Sequence, residues 1–505
     1  MPVFAAIDIG SNSVRLKIAR LVRRRLRVLH EDREVTRLGE SVFQSGMLDP
    51  AAMELTVKVL RRFHRATQSF GADVVRAVAT SAMRDASNAT AFLQWVHAAT
   101  GWRVEIISGL EEGRLIHLGV TAHTNIRAGR MLLIDLGGGS CELTVSTRKQ
   151  IENMVSLPLG AVRLTRDFLV HDPPTKKEVE RLRAFIEEEL ERAEPGLKRR
   201  KLNATIATSG TPAALADMWS KENKKKTATV PREGLLRMTK KLTKLGMQGR
   251  SAVKGMGPKR AEIIVAGAWV FSELLSRLEL PSFRYVPYGL RDGMLRQLLA
   301  DYGSKQHLDK RLASERATSL RTLAGHYNVD MKYAERVREH CAQLFKTLQP
   351  VHRLPSEYAG LLEAASLLQE VGSFVNRAGG HRHAYYIVAH SEMLGYTLPE
   401  RKIVAAMVRF IGKSRPTVES PAMRALPAAD RLMVPKATML LRLGRALEQG
   451  RRGTVSNIRA TVRSDKVILR FRKKAPGAEL ETWALEKEKN YFRELFGRSL
   501  ELATE

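Results

Sequence analysis

The chain has 505 residues, 44% hydrophobic and 27% charged, ordinary for a globular protein but too long for one core; length suggests roughly three or four domains. Lys and Arg number 84 against 53 Asp and Glu, a formal net charge of +31, which attracts polyanions and makes their binding salt-sensitive. Its longest apolar runs, such as Ile263 to Phe271, fall far short of the ~20 residues of a membrane span. The start MPVFAAIDIG lacks the basic segment and cleavage site of a signal peptide. With only Cys141 and Cys341 there is no disulfide framework, which fits a reducing cytoplasm.

Taken in order, AAIDIGSNSVRLKIARLV and RRLRVLHEDREVTRL read as a strand meander, aliphatic alternation broken by turn residues. Leu55, Val59 and Phe63 recur at helical spacing and predict a helix from Pro50 to Phe70, closed by Gly71. Val74 to Ala79 is a buried-strand run leading to a helix capped near Ser87 or Asn88. Val104 to Ile107 is a strand feeding a helix that begins near Ser108. Residues 131 to 300 restart the alternation and end in a long apolar helix predicted over Pro258 to Leu280. Strands alternating with helices, given twice, imply two α/β halves. From about 304 helical periodicity takes over to about 412, followed by a Pro-bearing stretch, Ser414 to Pro427. The tail shows strand-like runs at Val455 to Val462 and Val467 to Phe471, then Leu480 to Leu485 and a terminal helix. Basic runs fall at Arg23–Arg25, Lys198–Lys201, Lys224–Lys226 and Arg472–Lys474; any one of them alone also reads as a solvated face.

Two stretches share one spelling. IDIGSNSVRL at Ile7–Leu16 returns 127 positions later as IDLGGGSCEL at Ile134–Leu143. A Gly straight after an aliphatic strand lets the backbone turn sharply and present amide N–H groups to an anion. Ser11, Asn12, Ser13 and Ser140 add side-chain donors, while the strand-end Asp8 and Asp135 suit a divalent cation better than phosphate. Two matched turns opening two α/β halves are the signature of the actin-like (ribonuclease H-like) ATPase fold, with a cleft between the halves. In SGLEEGR, at Ser108–Arg114, Ser108 and Glu111 have capping-box spacing, so Glu111 is expected to reach back to the N-cap amide. That leaves Glu112 to orient and deprotonate a water, although a first-turn acid also complements the helix dipole.

IDIGSNSVRL, ATSAMRDASN (79–88), ISGLEEGRLIHLGV (107–120), LIDLGGGSCEL and SLPLGAVRLT (156–165) together resemble the exopolyphosphatase/guanosine pentaphosphate phosphatase (Ppx/GppA) family. The resemblance is close over residues 3 to 300 and looser beyond. It implies hydrolysis of terminal phosphoanhydride bonds in inorganic polyphosphate, or of the 5′-terminal phosphate of guanosine pentaphosphate, with Mg²⁺, or Mn²⁺ in its place. Carried over, it places the catalytic base on Glu112 and the phosphate-cradling turns on Gly10, Ser11, Asn12 and Ser13 and on Gly137, Gly138, Gly139 and Ser140. Basic groups near phosphate fall on Arg15 and Arg84, where each alone would more often be a surface ion pair. The metal-associated acids fall on Asp135 and Glu142, with Asp8 as their counterpart in the first turn. In this reading Arg15 presents positive charge to phosphate, and Glu142 presents negative charge to metal at the matching place.

The implied architecture is actin-like domain I at 1–124, actin-like domain II at 125–303, an all-α HD-like domain at 304–425 and a small C-terminal α/β domain at 426–505. An HD-type site needs a His, a His-Asp pair and a later Asp to hold metal. Here His340 fits the first position, but the pair reads Gln369-Glu370, and the later Asp position reads Arg445 or Glu448. His381 and His383 do not complete a site, so this domain is expected to be a substrate-binding or dimerising wall without catalysis. Where the family often has Gly-Gly-Thr, the chain has Thr208-Ser209-Gly210-Thr211-Pro212, and Gly113 replaces a commoner Ala.

The expected substrate is polyphosphate, because a long polyanion gains from every added cation, with guanosine pentaphosphate as the alternative. A regulator that binds guanosine tetra- or pentaphosphate or polyphosphate without turnover is a second class, and an actin-like kinase or ATPase a third. Nucleic acid is disfavoured: aromatics are 6%, with no stacking platform or helix-turn-helix pattern. The partners are then the substrate and, by resemblance, a second copy of the chain, with no membrane.

Overall fold

The computed structural model describes residues 1–23, 25–124, 129–147, 150–197, 202–224, 227–303, 305–376, 379–412, 414–473 and 478–504. The basic run Lys198–Lys201 lies outside the described residues, as do Arg24, Lys225, Lys226 and Lys474 and the expected domain starts at 125 and 304. The chain divides into two compact units, Met1–Arg311 and Leu312–Glu505. Among the described residues no helix is long and apolar enough to cross a membrane.

The first unit holds two mixed sheets. β1 (Val3–Ile9), β2 (Ser13–Val22), β3 (Arg25–Val35), β4 (Val74–Ala79) and β5 (Val104–Ile106) are ordered β3-β2-β1-β4-β5. β6 (Met131–Leu136), β7 (Cys141–Ser146), β8 (Ile151–Leu157), β9 (Ala204–Thr208), β10 (Thr229–Pro231) and β11 (Ser282–Tyr285) are ordered β10-β11-β9-β6-β7-β8. Leaving out the edge strand β10, the two orders are the same: an antiparallel meander followed by parallel additions on the other side of the first strand.

Strand parity places the site. Along β1, Ala5, Ile7 and Ile9 pack into one core with Phe63 and Phe92. Phe4 and Ala6 point the other way, into a layer shared with Met131 and Leu133 of β6. Side chains alternate faces along a strand, so Asp8 and Asp135 both lie on the side where the two sheets confront each other. The helices Gly109–His123 and Leu290–Gly303 fill that shared layer through Leu115, Ile116, Met294 and Leu295.

Two expected elements differ. The long helix over Pro258–Leu280 is broken into Pro258–Ala261 and Ile264–Arg277. Ile263 leaves helical geometry (φ −110°, ψ 2°) beside Glu262, whose carboxylate meets Arg37 at 2.8 Å and Arg166 at 3.1 Å. The last described element is also a strand rather than a helix. After the helix Lys489–Phe496, the alternating run Ser499–Thr504 pairs parallel with Lys466–Lys473 and buries Leu500 in the core of Phe471 and Phe492.

The second unit is helical from Met331–Thr347 through Tyr358–Leu368, Gly380–His390 and Leu398–Arg409 to Ala428–Ala446. A three-stranded sheet closes it: β12 (Val455–Val462), β13 (Lys466–Lys473) and β14 (Ser499–Thr504). One continuous core runs through both parts, from Val337 and Leu362 to Leu443, Leu469 and Phe492.

Candidate active site

The two repeated turns are built alike. Gly10 N–H donates to Ser13 C=O at 3.2 Å, and Gly137 N–H donates to Ser140 C=O at 3.0 Å. They also meet. A Cβ built on Gly138 would lie 3.1 Å from Ser11 Cβ and 3.2 Å from Asn12 N, and one on Gly139 would lie 2.9 Å from Ser11 Oγ. Only glycine lets the second turn approach the first so closely.

The turns form one end of a cleft of about 250 Å³ in the first unit. Asp8, Gly10, Ser11, Asn12, Ser13, Arg15, Glu112, Asp135 and Gly137 to Ser140 all line it. Two expected residues stand behind the lining. Arg84 donates to Glu112 Oε2 at 3.1 Å, to Ile107 C=O at 2.9 Å and to Ser140 Oγ at 3.4 Å, which makes it a holder of Glu112. Glu142 is 1% exposed and accepts from Ser156 Oγ at 2.8 Å.

The charge swap read from the repeat has a register basis. Across β1 and β2, Asp8 stands opposite Arg15; across β6 and β7, Asp135 stands opposite Glu142. One half thus presents an acid beside a base, the other two acids side by side. Oxygens of Glu112, Asp135 and Glu142 lie within 4.8 Å of one another, and all three residues are buried. Burial and mutual repulsion raise their pKa values. Glu112 is pushed up to about 7 by burial, against Arg84 and with Asp135 and Asp8 adding to the rise. Asp135 rises to about 6 through burial, against the Ser209 hydroxyl and Arg15 and with Asp8 adding to the rise. Glu142 is driven well above the carboxylate range by burial, then by Glu112 and Asp135.

These acids fit a divalent cation. They are hard oxygen donors in one cluster, and Glu142 Oε2 has no hydrogen-bond partner among the described residues. Asp8 is not a member of the trio. Burial raises it too, while Arg15, Arg291 and Arg33 hold it down.

The Glu111 expectation needs correcting. Ser108 Oγ does accept from Glu111 N at 3.1 Å, but the Glu111 carboxylate does not reach back to the N-cap amide. It takes Arg114 as a bidentate partner at 2.7 and 2.8 Å, and Arg114 also reaches Gln297 at 3.0 Å. A charged fork outcompetes a neutral amide for a carboxylate. Gly113 is more than a weak helix start: an added Cβ would lie 2.8 Å from Met154 Sδ.

Sequence reading missed several residues on the cationic wall. Arg33 and Arg291 line the cleft with Arg15. Arg33 stands opposite Arg15 across β2 and β3, and its pKa is drawn down to about 10 by desolvation and by Arg15 and Arg291. Arg291 donates to Leu16 C=O at 2.7 Å from 275 residues away. A second cavity continues from the shared lining residues Arg33, Gly210 and Ala213 to Lys259 and Arg260. Ser209, noted as a departure in its loop, sits at φ +81°, ψ −174°, and its hydroxyl donates to Asp135 Oδ1. Asp292 is held by Lys17 at 2.7 Å.

A model of the Ppx/GppA phosphatase family matches residues 17–301, and one of Ppx/GppA phosphatase, domain III, matches residues 316–494. Two curated proteins named guanosine-5'-triphosphate,3'-diphosphate pyrophosphatase, from Aeromonas hydrophila and Aeromonas salmonicida, are 28% and 29% identical over 408 residues, 81% of this chain and 80% of each relative. The crystal structure of the Aquifex aeolicus Ppx/GppA family member is 30% identical, with TM-score 0.52, over 60% of this chain and 99% of that one. An exopolyphosphatase structure from Cytophaga hutchinsonii is 25% identical, with TM-score 0.57, over 59% of this chain and 98% of that one.

Proposed function

The chain belongs to the Ppx/GppA phosphatase family, and from that premise we propose that it is a phosphoanhydride hydrolase releasing the terminal phosphate of inorganic polyphosphate. The observation that carries this reading is one cleft with a wall of arginines, Arg15, Arg33 and Arg291, facing a cluster of acids, Glu112 and Asp135. Arginines recognise phosphate oxygens through charge-assisted hydrogen bonds, and the Gly10–Ser13 and Gly137–Ser140 turns add donors. Glu112, held by Arg84, takes the proton of an attacking water; a carboxylate with a pKa near the working pH suits that task. Asp135 and Glu142 would hold a divalent cation with Glu112 at its edge, and Mg²⁺ there supplies neutralising charge for the phosphate oxygens. Asp8, outside the trio, is assigned to Arg15, which it faces.

The run from Arg33 to Arg260 and Lys259 favours an extended polyanion. The second reading, removal of the 5′-terminal phosphate of guanosine pentaphosphate, is favoured by the relatives that carry that substrate in their names. The actin-like kinship of the duplicated sheets and an HD-like origin for the helical unit without its metal set complete the reading, as do a cytoplasmic setting and self-association.

The test is phosphate release from long-chain polyphosphate, guanosine pentaphosphate and ATP side by side, with and without Mg²⁺. Polyphosphate is expected to turn over fastest, and Glu112→Gln to lower kcat by about 10²–10⁴ while binding survives. Full activity in that variant overturns the base, and binding without turnover of any substrate favours a regulator.

A further inference from the structure

The second unit contains a cavity of about 710 Å³, within the usual range for small-molecule sites. Its lining includes Tyr327, Gln369, Phe374, His381, Arg445 and Arg451. Three observations say what would fill it.

First, Gln369 is 2% exposed and donates through Nε2 to Ser366 C=O at 3.2 Å, yet its Oε1 has no partner among the described residues. A buried acceptor left unmet costs about 1–3 kcal/mol, so this oxygen calls for an N–H or O–H donor from a ligand. The Nε of Arg445 is likewise unmet, while its Nη1 donates to Ile411 C=O at 3.1 Å.

Second, the charges on the lining are unevenly settled. Glu370 is ion-paired with Arg451, which also lies 4.0 Å from Asp330 and rests over the Tyr333 ring. Arg445 has no carboxylate partner among the described residues. The charged neighbours that depress His381, after its burial, are Arg409, Arg382, Arg445 and His383, all basic. The acids on the lining, Asp330 and Glu370, are both taken by Arg451, which leaves Arg445 and His381 without a carboxylate among the described residues.

Third, a flat apolar surface stands at the same cavity. Tyr327 and Phe374 pack edge to face at 5.6 Å and 82°, and Phe374 is 57% exposed. An aromatic face left open beside a polar pocket is suited to stacking.

We propose that this cavity binds a purine nucleoside monophosphate, with its phosphate toward Arg445 and His381, a base N–H on Gln369 Oε1 and the ring against Phe374. Inorganic phosphate alone would satisfy Arg445 but not Gln369 or Phe374. The site is independent of the reading of the cleft, since none of its residues belongs to that cleft.

The experiment titrates AMP, GMP and inorganic phosphate into the full chain by calorimetry; none of the three offers a phosphoanhydride bond to hydrolyse. We expect one saturable nucleotide site, weakened at least tenfold by Arg445→Met and about fivefold by Phe374→Ala, and unchanged by Arg33→Gln in the cleft. Phe374 is exposed, so its variant keeps a readout if the Arg445 variant fails to fold. Hydrogen exchange on the unaltered chain should show slower exchange at 327–330 and 369–374 when nucleotide is bound. No saturable nucleotide binding, inorganic phosphate displacing bound nucleotide at equal concentration, or loss on Arg33→Gln with retention on Arg445→Met each overturns the proposal.

Discussion

Arg15 and Arg33 stand directly opposite each other on the antiparallel pair β2–β3. Like charges facing across strands are destabilising by roughly 0.2–1 kcal/mol, and the acid next to them in that row is Asp8, one strand over. The arrangement makes sense as an anion site that is under repulsion until phosphate arrives.

Arg33→Gln should therefore separate binding from stability. KM for polyphosphate is expected to rise about tenfold, the equivalent of ~1.4 kcal/mol, with a shallower dependence on salt. The melting temperature should hold or rise. A variant that loses stability but keeps its KM would show that Arg33 has a structural role instead.

The acid cluster makes a prediction with a sign. Glu112 at about 7 and Asp135 at about 6 lie above their ordinary values of 4.5 and 3.8, so the folded state binds more protons than the unfolded chain in that window. The stability these groups contribute is present at low pH and is lost as pH rises through 6 to 7. Without divalent ions, the melting temperature should fall between pH 5.5 and 8, and Mg²⁺ should restore it more at pH 8 than at pH 5.5, where protons compete. Glu142→Gln should flatten both trends in a thermal-shift series. A Mg²⁺ effect of the same size at both pH values would sink the assignment.

Ser209 occupies backbone geometry that is nearly exclusive to glycine (φ +81°, ψ −174°) while its hydroxyl donates to Asp135. Such strain costs of order 1–3 kcal/mol. Ser209→Gly should gain about 1 kcal/mol in denaturant unfolding and raise several-fold the Mg²⁺ needed for half-maximal phosphate release. Ser209→Ala should show the same Mg²⁺ shift without the gain. Unchanged Mg²⁺ dependence in both variants would detach Ser209 from the site.

Gly139→Ala tests the contact between the turns. The added methyl would lie 2.9 Å from Ser11 Oγ in the first turn, and 2.4 Å from Ser81 Oγ and 2.5 Å from Phe43 Cζ beside it, an overpacking that costs about 1–3 kcal/mol. Activity should fall along with stability, whereas Gly325→Ala, where nothing lies within 4 Å, should lower neither. Equal behaviour of the two variants in unfolding and phosphate release would contradict the close approach.

Much of this was legible in the sequence because it is local. The strand Val74–Ala79 and the helix at Pro50 follow from periodicity and punctuation. The two glycine turns announce themselves by repetition. The Glu111 partner was not legible as a cap, because the competing Arg114 lies one helical turn on, where side chains three apart also meet. Nor was the place of Arg84 behind the lining: its anchors Ile107, Glu112 and Ser140 come from a strand end, a helix start and the other sheet's turn.

The sequence by itself determined the two halves, their matched turns and the swap of Arg15 for Glu142, since strand alternation and glycine turns depend on neighbours along the chain. The tertiary structure decided which charges confront one another. Near its hairpin turn β2–β3 pairs Leu21 with Leu26, a register that would set Arg15 against Asp32. An irregularity between Ile18 and Ala19 shifts the pairing by one residue and brings Arg33 there instead. Arg291 joins them across 275 residues. A one-residue slip and a long-range packing contact leave no local trace in composition or spacing, yet together they complete the cationic wall of the cleft.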